Sequence, residues 1–220
     1  MGCDIHLYVE KRGVLGWEKQ YGFVSDYFDP TNEYFSGKDF RDTDEPYQSR
    51  NYTVFAAPAN VRNGYGFAGI DTGDPLIPIA EPRGLPDDVS SAIQETADAF
   101  GDDGHSHSYL TLAELRDYNW DKPLTSRGCV QLSDFKKLRP GEPPKEWRGG
   151  GVFGGNTRTI SIAEAETYKP KPGQEVYVNY QWVTPLRDCC SGFLNHMLPI
   201  LEKLSDGDAE SVRIVFWFDN

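Results

Sequence analysis

Three of the four histidines lie in two short polar motifs, which carry the clearest chemical signal in the sequence. Asp4 and His6 form a D-x-H motif, and His105 and His107 form an H-x-H motif. In an extended segment, residues i and i+2 lie on one face about 6.5 Å apart, so each pair can approach one cation from the same side. Imidazole and carboxylate ligands together suit Zn, Mn or Ni. We therefore predict a divalent metal held by these four side chains.

A metal in such a site activates bound water and neutralises the charge that develops on a phosphate group. Arg62 and Arg83 lie in turn-like sequence and are predicted to hold that phosphate. Without a metal, His105 and His107 would act as general base and general acid, since imidazole titrates near neutral pH. A further interpretation stays open, in which the D-x-H motif lies on the solvent face of an edge strand and the H-x-H motif in a solvated turn.

Composition narrows the class of partner. The chain has 220 residues, with 22 basic and 34 acidic side chains and a formal net charge of −12. This charge repels nucleic-acid phosphates, so a nucleic-acid polymer is excluded as the expected partner, whereas a small nucleotide is not. No apolar run reaches the roughly 18 residues that a membrane span needs, and no secretory signal is present. Four cysteines without a C-x-x-C pair indicate reduced thiols and a cytoplasmic protein.

The sequence predicts a strand near each end of the chain. Residues 3–10 alternate apolar and polar side chains, which predicts a strand with one buried face, and residues 17–20 are predicted to return as its hairpin partner. The almost continuous apolar run 212–218 predicts a strand buried on both faces. If these terminal strands pair in antiparallel fashion, Asp219 lies near Asp4.

The segments between these strands predict helices and loops. Helical spacing or capping residues occur at 51–61, 87–100, 111–118 and 186–201, a second capping box begins at Ser161, and further strands are predicted at 129–132 and 176–182. Pro199 is expected to kink or end the last helix. We predict one α+β domain over residues 1–220, with a mixed or antiparallel sheet that includes both terminal strands and with irregular insertions near 25–50 and 140–156.

Several segments together resemble a family of bacteriophage and bacterial proteins. The chain opens with MGCDIH, ends in IVFWFDN, and carries further matching segments at 50–52, 61–64, 82–86 and 105–115. The resemblance runs from end to end, and it implies a context: a small accessory protein in the cytoplasm of an infected bacterial host. Accessory proteins of this kind often counter host defence by cleaving or sequestering nucleotide immune signals.

Three functions follow as hypotheses. The first is a metal-dependent, phosphodiesterase-like hydrolase that cleaves a phosphodiester or phosphoanhydride bond of a nucleotide, such as a cyclic dinucleotide immune signal. The second is a nucleotide-binding protein that sequesters the signal without turnover. The third is an inhibitor of a host protein whose charge of −12 imitates nucleic acid.

Overall fold

The computed structural model describes residues 2–149 and 151–219. Contacts between Cα atoms divide the chain into two compact units. Unit 1 contains the described residues of Met1–Val61, Ile77–Asn119 and Cys189–Asn220, and unit 2 contains those of Arg62–Leu76 and Trp120–Asp188. The expectation of a single domain stays a prediction.

Helices and strands occur in similar proportion, which confirms the predicted α+β class. Along the described residues the order is β1 (Asp4–Arg12), β2 (Trp17–Lys19), α1 (Tyr52–Ala59), α2 (Ser91–Phe100), β3 (His105–Thr111), α3 (Leu112–Asp117), β4 (Pro123–Gln131), α4 (Leu132–Phe135), β5 (Thr157–Ile160), α5 (Ile162–Ala165), β6 (Glu175–Pro185), α6 (Leu186–Cys189), α7 (Ser191–Ser205) and β7 (Val212–Asp219). No helix of the described residues combines the length and the apolar character that a bilayer crossing needs.

Unit 1 is built on a sheet in the strand order β2-β1-β7-β3, in which every neighbouring pair is antiparallel. The two terminal strands pair over most of their length, and Asp4 lies opposite Asp219, as predicted. All of β7 from Val212 to Phe218 is buried, because it is a central strand with elements packed on both faces. The hairpin partner predicted after β1 is confirmed as β2.

Different helices pack on the two faces of this sheet. On one face, Tyr8, Val215 and Trp217 pack against Ile93 and Ala97 of α2. On the other face, Phe55 of α1 packs edge-on against Phe218, with ring centroids 5.0 Å apart. Because directly paired residues of antiparallel strands share a face, His6 opposite Trp217 lies on the α2 side.

Unit 2 contains a smaller mixed sheet in the order β4-β6-β5, with β4 antiparallel and β5 parallel to β6. Val176 and Val178 of β6 pack on one face against Leu132 of α4 and Ala165 of α5. The opposite face carries Asn179 and Gln181, which are exposed. The capping box at Ser161 is confirmed at the start of α5.

Several sequence predictions need correction. The segment from His105 is a strand, β3, where no strand was predicted, and β4 extends well beyond the predicted 129–132. Helix α2 begins at Ser91 rather than at Asp87 or Asp88, because the Asp88 carboxylate accepts hydrogen bonds from Arg213 and Trp17 instead of capping the helix. The helix predicted over 186–201 is divided at Cys190, and α7 continues past Pro199 because its buried face holds it in place.

Candidate functional site

His6 lies between two carboxylates. Its Nδ1 atom is 3.1 Å from Oε1 of Glu45, and its Nε2 atom is 3.3 Å from Oδ2 of Asp219. The Nε2 atom is buried and has no hydrogen-bond partner among the described residues, because the nearby Asp219 oxygen is not in hydrogen-bond geometry. The ring packs on Phe100 with a centroid distance of 4.3 Å. These contacts fix both the position and the orientation of the imidazole.

The three groups reach this point from distant parts of the chain. His6 is on β1, Asp219 ends β7 on the neighbouring strand, and Glu45 belongs to the irregular segment that precedes α1. Oε1 of Glu45 also accepts a hydrogen bond of 2.7 Å from the Tyr8 hydroxyl. Tyr8 is two residues from His6 on the same face of β1, so one carboxylate oxygen ties both side chains to the loop.

The two carboxylates favour the protonated form of His6. Burial lowers the pKa of His6, but the hydrogen bond and negative charge of Glu45, together with the negative charge of Asp219, outweigh it and raise the pKa above the usual 6.5. If Nδ1 donates its hydrogen to Glu45, the remaining lone pair of a neutral ring lies at Nε2 and faces the Asp219 carboxylate. That arrangement is repulsive unless a proton or another cation lies between Nε2 and Asp219.

Asp4 forms an ion pair with Arg50, whereas the sequence predicted that its carboxylate binds a metal. Its two carboxylate oxygens accept hydrogen bonds from Nε and from one terminal nitrogen of Arg50, at 2.8 and 2.6 Å. This bidentate pair occupies the oxygens that were predicted to bind a metal, while the cross-strand pairing brings Asp219 to His6 instead. About half of each side chain in the pair is exposed, so the pair faces solvent beside the His6 site.

His105 and His107 do not share a face. His105 lies opposite Phe218 and Ser108 opposite Phe216, so Ser106 and His107 together oppose Trp217 in a β-bulge. Ser106 has φ +53°, the left-handed backbone conformation that such an irregularity requires. Consequently His105 stacks on Phe218 and His107 stacks on Trp217, two residues that point to opposite faces of β7. The prediction that both imidazoles approach one cation from the same side is wrong at this point, because the bulge inverts the i, i+2 relation.

His107 shares the Trp217 face with His6 but experiences a different environment. Its ring centroid is 5.5 Å from that of Trp217. Burial, with a smaller contribution from the charge of His105, lowers the pKa of His107 below 6.5. Burial thus favours the neutral form of His107, whereas the carboxylates beside His6 favour the charged form of His6.

We expect the two rings to titrate on opposite sides of 6.5 in metal-free protein. Nitrogen-edited NMR of the imidazoles should place the midpoint of His6 above this value and that of His107 below it. Protonation of His6 then contributes to the free energy of unfolding below pH 6.5, and this contribution is lost as the pH rises through the pKa of His6 in the folded protein. The pH dependence linked to His107 has the opposite sign. Its contribution to the free energy of unfolding is present above pH 6.5 and is lost as the pH falls through the pKa of His107 in the folded protein.

His107→Gln provides the control for this assignment. The glutamine side chain cannot take up a proton, so the variant should keep more of its free energy of unfolding than the parent protein between pH 7 and pH 5. A midpoint for His107 at or above 6.5, or identical pH profiles for the two proteins, would contradict the environment described for this ring.

The two arginines predicted to hold phosphate have separate surroundings. Arg83 in unit 1 donates to the backbone oxygen of Tyr109 at 2.6 Å and to both carboxylate oxygens of Glu114. Its neighbour Gly84 donates from its backbone nitrogen to the oxygen of His107. The segment containing Arg83 thus supplies hydrogen-bond partners to the outer edge of β3, and the phosphate-binding role of Arg83 stays a prediction. Arg62 belongs to unit 2, whereas the histidines belong to unit 1.

Arg83→Ala should lower the free energy of unfolding by about 1 kcal/mol, since the variant removes hydrogen bonds that protect the edge of β3. Urea denaturation measures this change, and any nucleotide turnover should stay at the parent level. Arg41→Ala, at an exposed arginine with no ion pair among the described residues, is the matched control. A loss of turnover with unchanged stability would instead support the phosphate-binding role of Arg83.

Sequence reasoning missed Glu45 and underrated Arg50. Glu45 lies in an aperiodic segment, so its approach to β1 depends on long-range packing that no local pattern reports. Arg50 lies in turn-like sequence as Arg62 and Arg83 do, and only the pairing with Asp4 distinguishes it.

Within residues 2–149 and 151–219, no three His, Cys, Asp or Glu side chains come together as a metal-binding group. The predicted set of four ligands is therefore not assembled in the described structure. No family model matches the chain, and the searches of the curated proteins and of the solved structures found no significant match.

Proposed function

We propose that the protein is a metal-dependent hydrolase of phosphodiester or phosphoanhydride bonds in a small nucleotide, with the cation held between His6 and Asp219. One observation carries this proposal: Nε2 of His6 is buried without a hydrogen-bond partner among the described residues, 3.3 Å from a carboxylate oxygen of Asp219. Glu45 holds the opposite nitrogen of the ring, as outer carboxylates do for metal-binding histidines.

The spacing of the two atoms suits a shared cation. Tetrahedral ligands at about 2.0–2.1 Å from a metal lie about 3.3–3.4 Å from each other. Two protein ligands leave the remaining coordination positions to water and to substrate phosphate, an arrangement common where a metal acts on nucleotides. A bound metal would lower the pKa of its water and neutralise charge on the phosphate.

Arg50 supplies the phosphate-binding group in this proposal. Its guanidinium is half exposed and is held by Asp4, the residue directly opposite Asp219 in the sheet. A planar guanidinium binds phosphate as readily as carboxylate, so a substrate phosphate can share or displace the contact with Asp4. The resemblance to bacteriophage proteins supports a nucleotide immune signal, including a cyclic dinucleotide, as the substrate in an infected cell.

A metal-free hydrolase is the second candidate, and the opposite pKa shifts of two histidines favour it. His6 would be the general acid, because its pKa is raised by Glu45 and Asp219 against the effect of burial. His107 would be the general base, because burial lowers its pKa. Environments that separate the pKa values of two groups are typical of acid–base pairs.

Turnover of a nucleotide panel distinguishes these candidates. Cyclic dinucleotides and nucleoside triphosphates are incubated with metal-free protein, with and without added Mn²⁺, and products are separated by chromatography. We expect turnover that requires Mn²⁺, is lost in His6→Ala and Asp219→Asn, and survives in His196→Ala, whose histidine lies on α7. Turnover without metal that is lost in His107→Ala would select the acid–base mechanism. An absence of turnover under every condition would contradict the hydrolase proposal.

A further inference from the structure

Unit 2 contains an open cavity of about 550 Å³ over the exposed face of its sheet. All of the residues that line it belong to this unit. Its floor is formed by side chains of β4, β5 and β6, and its walls by the segments around Ile70 and Phe153. The volume lies within the range of about 300–1,000 Å³ that small-molecule sites occupy.

The floor presents hydrogen-bond donors. Asn179 and Gln181 lie two residues apart on one face of β6, opposite Cys129 and Arg127 of β4. The oxygen of Asn179 lies 3.5 Å from the Cys129 sulfur, and that of Gln181 accepts a hydrogen bond of 3.1 Å from Arg127. Neither amide nitrogen has a partner among the described residues. Both exposed amide nitrogens are therefore available to donate to acceptors of a ligand.

The lining is also more basic than the chain as a whole. It contains the charged residues Arg127, Arg148 and Asp71, in a protein whose net charge is −12. Arg127 forms ion pairs with Asp71 and Asp74. Arg148 has no ion pair among the described residues, and its guanidinium lies over the ring of Tyr177 at 5.6 Å from the centroid. Tyr177 precedes Asn179 on the same face of β6, so this guanidinium lies at the Tyr177 end of the floor.

The walls are apolar. Phe153 is 86% exposed, an unusual state for a phenylalanine, and Ile162 is about half exposed. A Cβ atom added at Gly151 would lie 3.1 Å from the Phe153 ring and 3.6 Å from Ile70, so the ring and the Ile70 side chain flank the same glycine. An exposed aromatic ring beside a donor-rich floor suits a planar heterocycle, because the ring can stack on its face while polar groups bind its edge.

We propose that this cavity binds a nucleoside monophosphate whose base carries carbonyl acceptors, with the phosphate at Arg148. The carbonyl oxygens of uracil or guanine would accept hydrogen bonds from Asn179 and Gln181, and the base would lie against Phe153. Adenine presents an amino donor beside its ring nitrogens, and the amide oxygens that would accept from this donor already take contacts from Arg127 and Cys129. The nucleotide chemistry agrees with the proposed function, but the site depends only on residues of unit 2.

Isothermal titration calorimetry of the full chain with UMP, GMP and AMP tests this assignment. We expect saturable binding of one UMP or GMP per chain, with affinity at least about tenfold weaker in Arg148→Ala, because the variant loses charged hydrogen bonds. Arg158→Ala, an exposed arginine of unit 2 outside the cavity lining, is the matched control and should bind like the parent. The double variant Asn179→Ala/Gln181→Ala should lose the preference for UMP or GMP over AMP.

Three results would overturn the inference. They are the absence of saturable binding of any of these nucleotides below about 5 mM, equal affinity in the Arg148→Ala and Arg158→Ala variants, and an affinity for AMP equal to that for UMP and GMP. His6→Ala separates this inference from the hydrolase proposal: binding should persist in the variant, since His6 belongs to unit 1. Failure of turnover with intact binding would contradict only the hydrolase.

Discussion

Arg213→Ala is expected to destabilise the protein by about 3–5 kcal/mol, the cost of breaking a buried ion pair by removing one partner. The Arg213 side chain is 4% exposed, and its Nε atom lies 2.7 Å from a carboxylate oxygen of Glu10, which is fully buried. The guanidinium also lies 4.0 Å from the centroid of the Trp17 ring. Without Arg213, the charge of Glu10 would remain buried beside the sheet with no counter-charge.

Glu10→Ala should have a comparable effect, because Glu10 also accepts the backbone hydrogen of Ser90 at the start of α2. Urea denaturation at pH 7 measures both variants. Lys11→Ala is the control: Lys11 pairs with Asp206 at the surface, and its loss should cost less than about 1 kcal/mol. A stability of Arg213→Ala within about 1 kcal/mol of the parent would show that the pair does not hold α2 against the sheet.

Glu45→Gln is expected to weaken metal binding by about 10–100-fold while leaving both proposed ligands in place. The variant keeps an oxygen that can accept from His6 or Tyr8, but it removes the negative charge that makes the imidazole a better ligand. Titration of the metal-free protein with Mn²⁺ or Zn²⁺, followed by calorimetry, gives the change in affinity.

Glu33→Gln is the control for this experiment, because Glu33 is an exposed residue of the same irregular segment. Its metal affinity should equal that of the parent. Unchanged affinity in Glu45→Gln would show that the carboxylate anchors only the loop and has no influence on a cation beside His6.

The elements of the sheet core could be predicted because their patterns are local. Alternation in residues 3–10 and the apolar run that ends the chain specified β1 and β7, and their antiparallel pairing brought Asp219 beside the D-x-H motif. The bulge in β3 could not be predicted in this way. A short segment with His105, Ser106 and His107 has the same sequence whether or not Ser106 adopts a positive φ, and only pairing with β7 settles which face each imidazole occupies.

The site was predicted only in part for the same reason. His6 was identified by its motif, but its partners are chosen by tertiary contacts. Arg50 forms an ion pair with Asp4, and Glu45 contacts His6 from an irregular segment rich in polar residues. Charged side chains of similar local sequence thus have different roles, which packing and pairing decide.

The metal content of the purified protein tests the central proposal most directly. The untagged protein is incubated with Mn²⁺, Zn²⁺ or Ni²⁺, freed of unbound metal, and analysed by plasma mass spectrometry alongside His6→Ala, Asp219→Asn and His105→Ala. The proposal predicts close to one metal per chain in the parent and in His105→Ala, and a loss in the other two variants. No bound metal in the parent, or retention in both His6→Ala and Asp219→Asn, would contradict a cation between these two side chains.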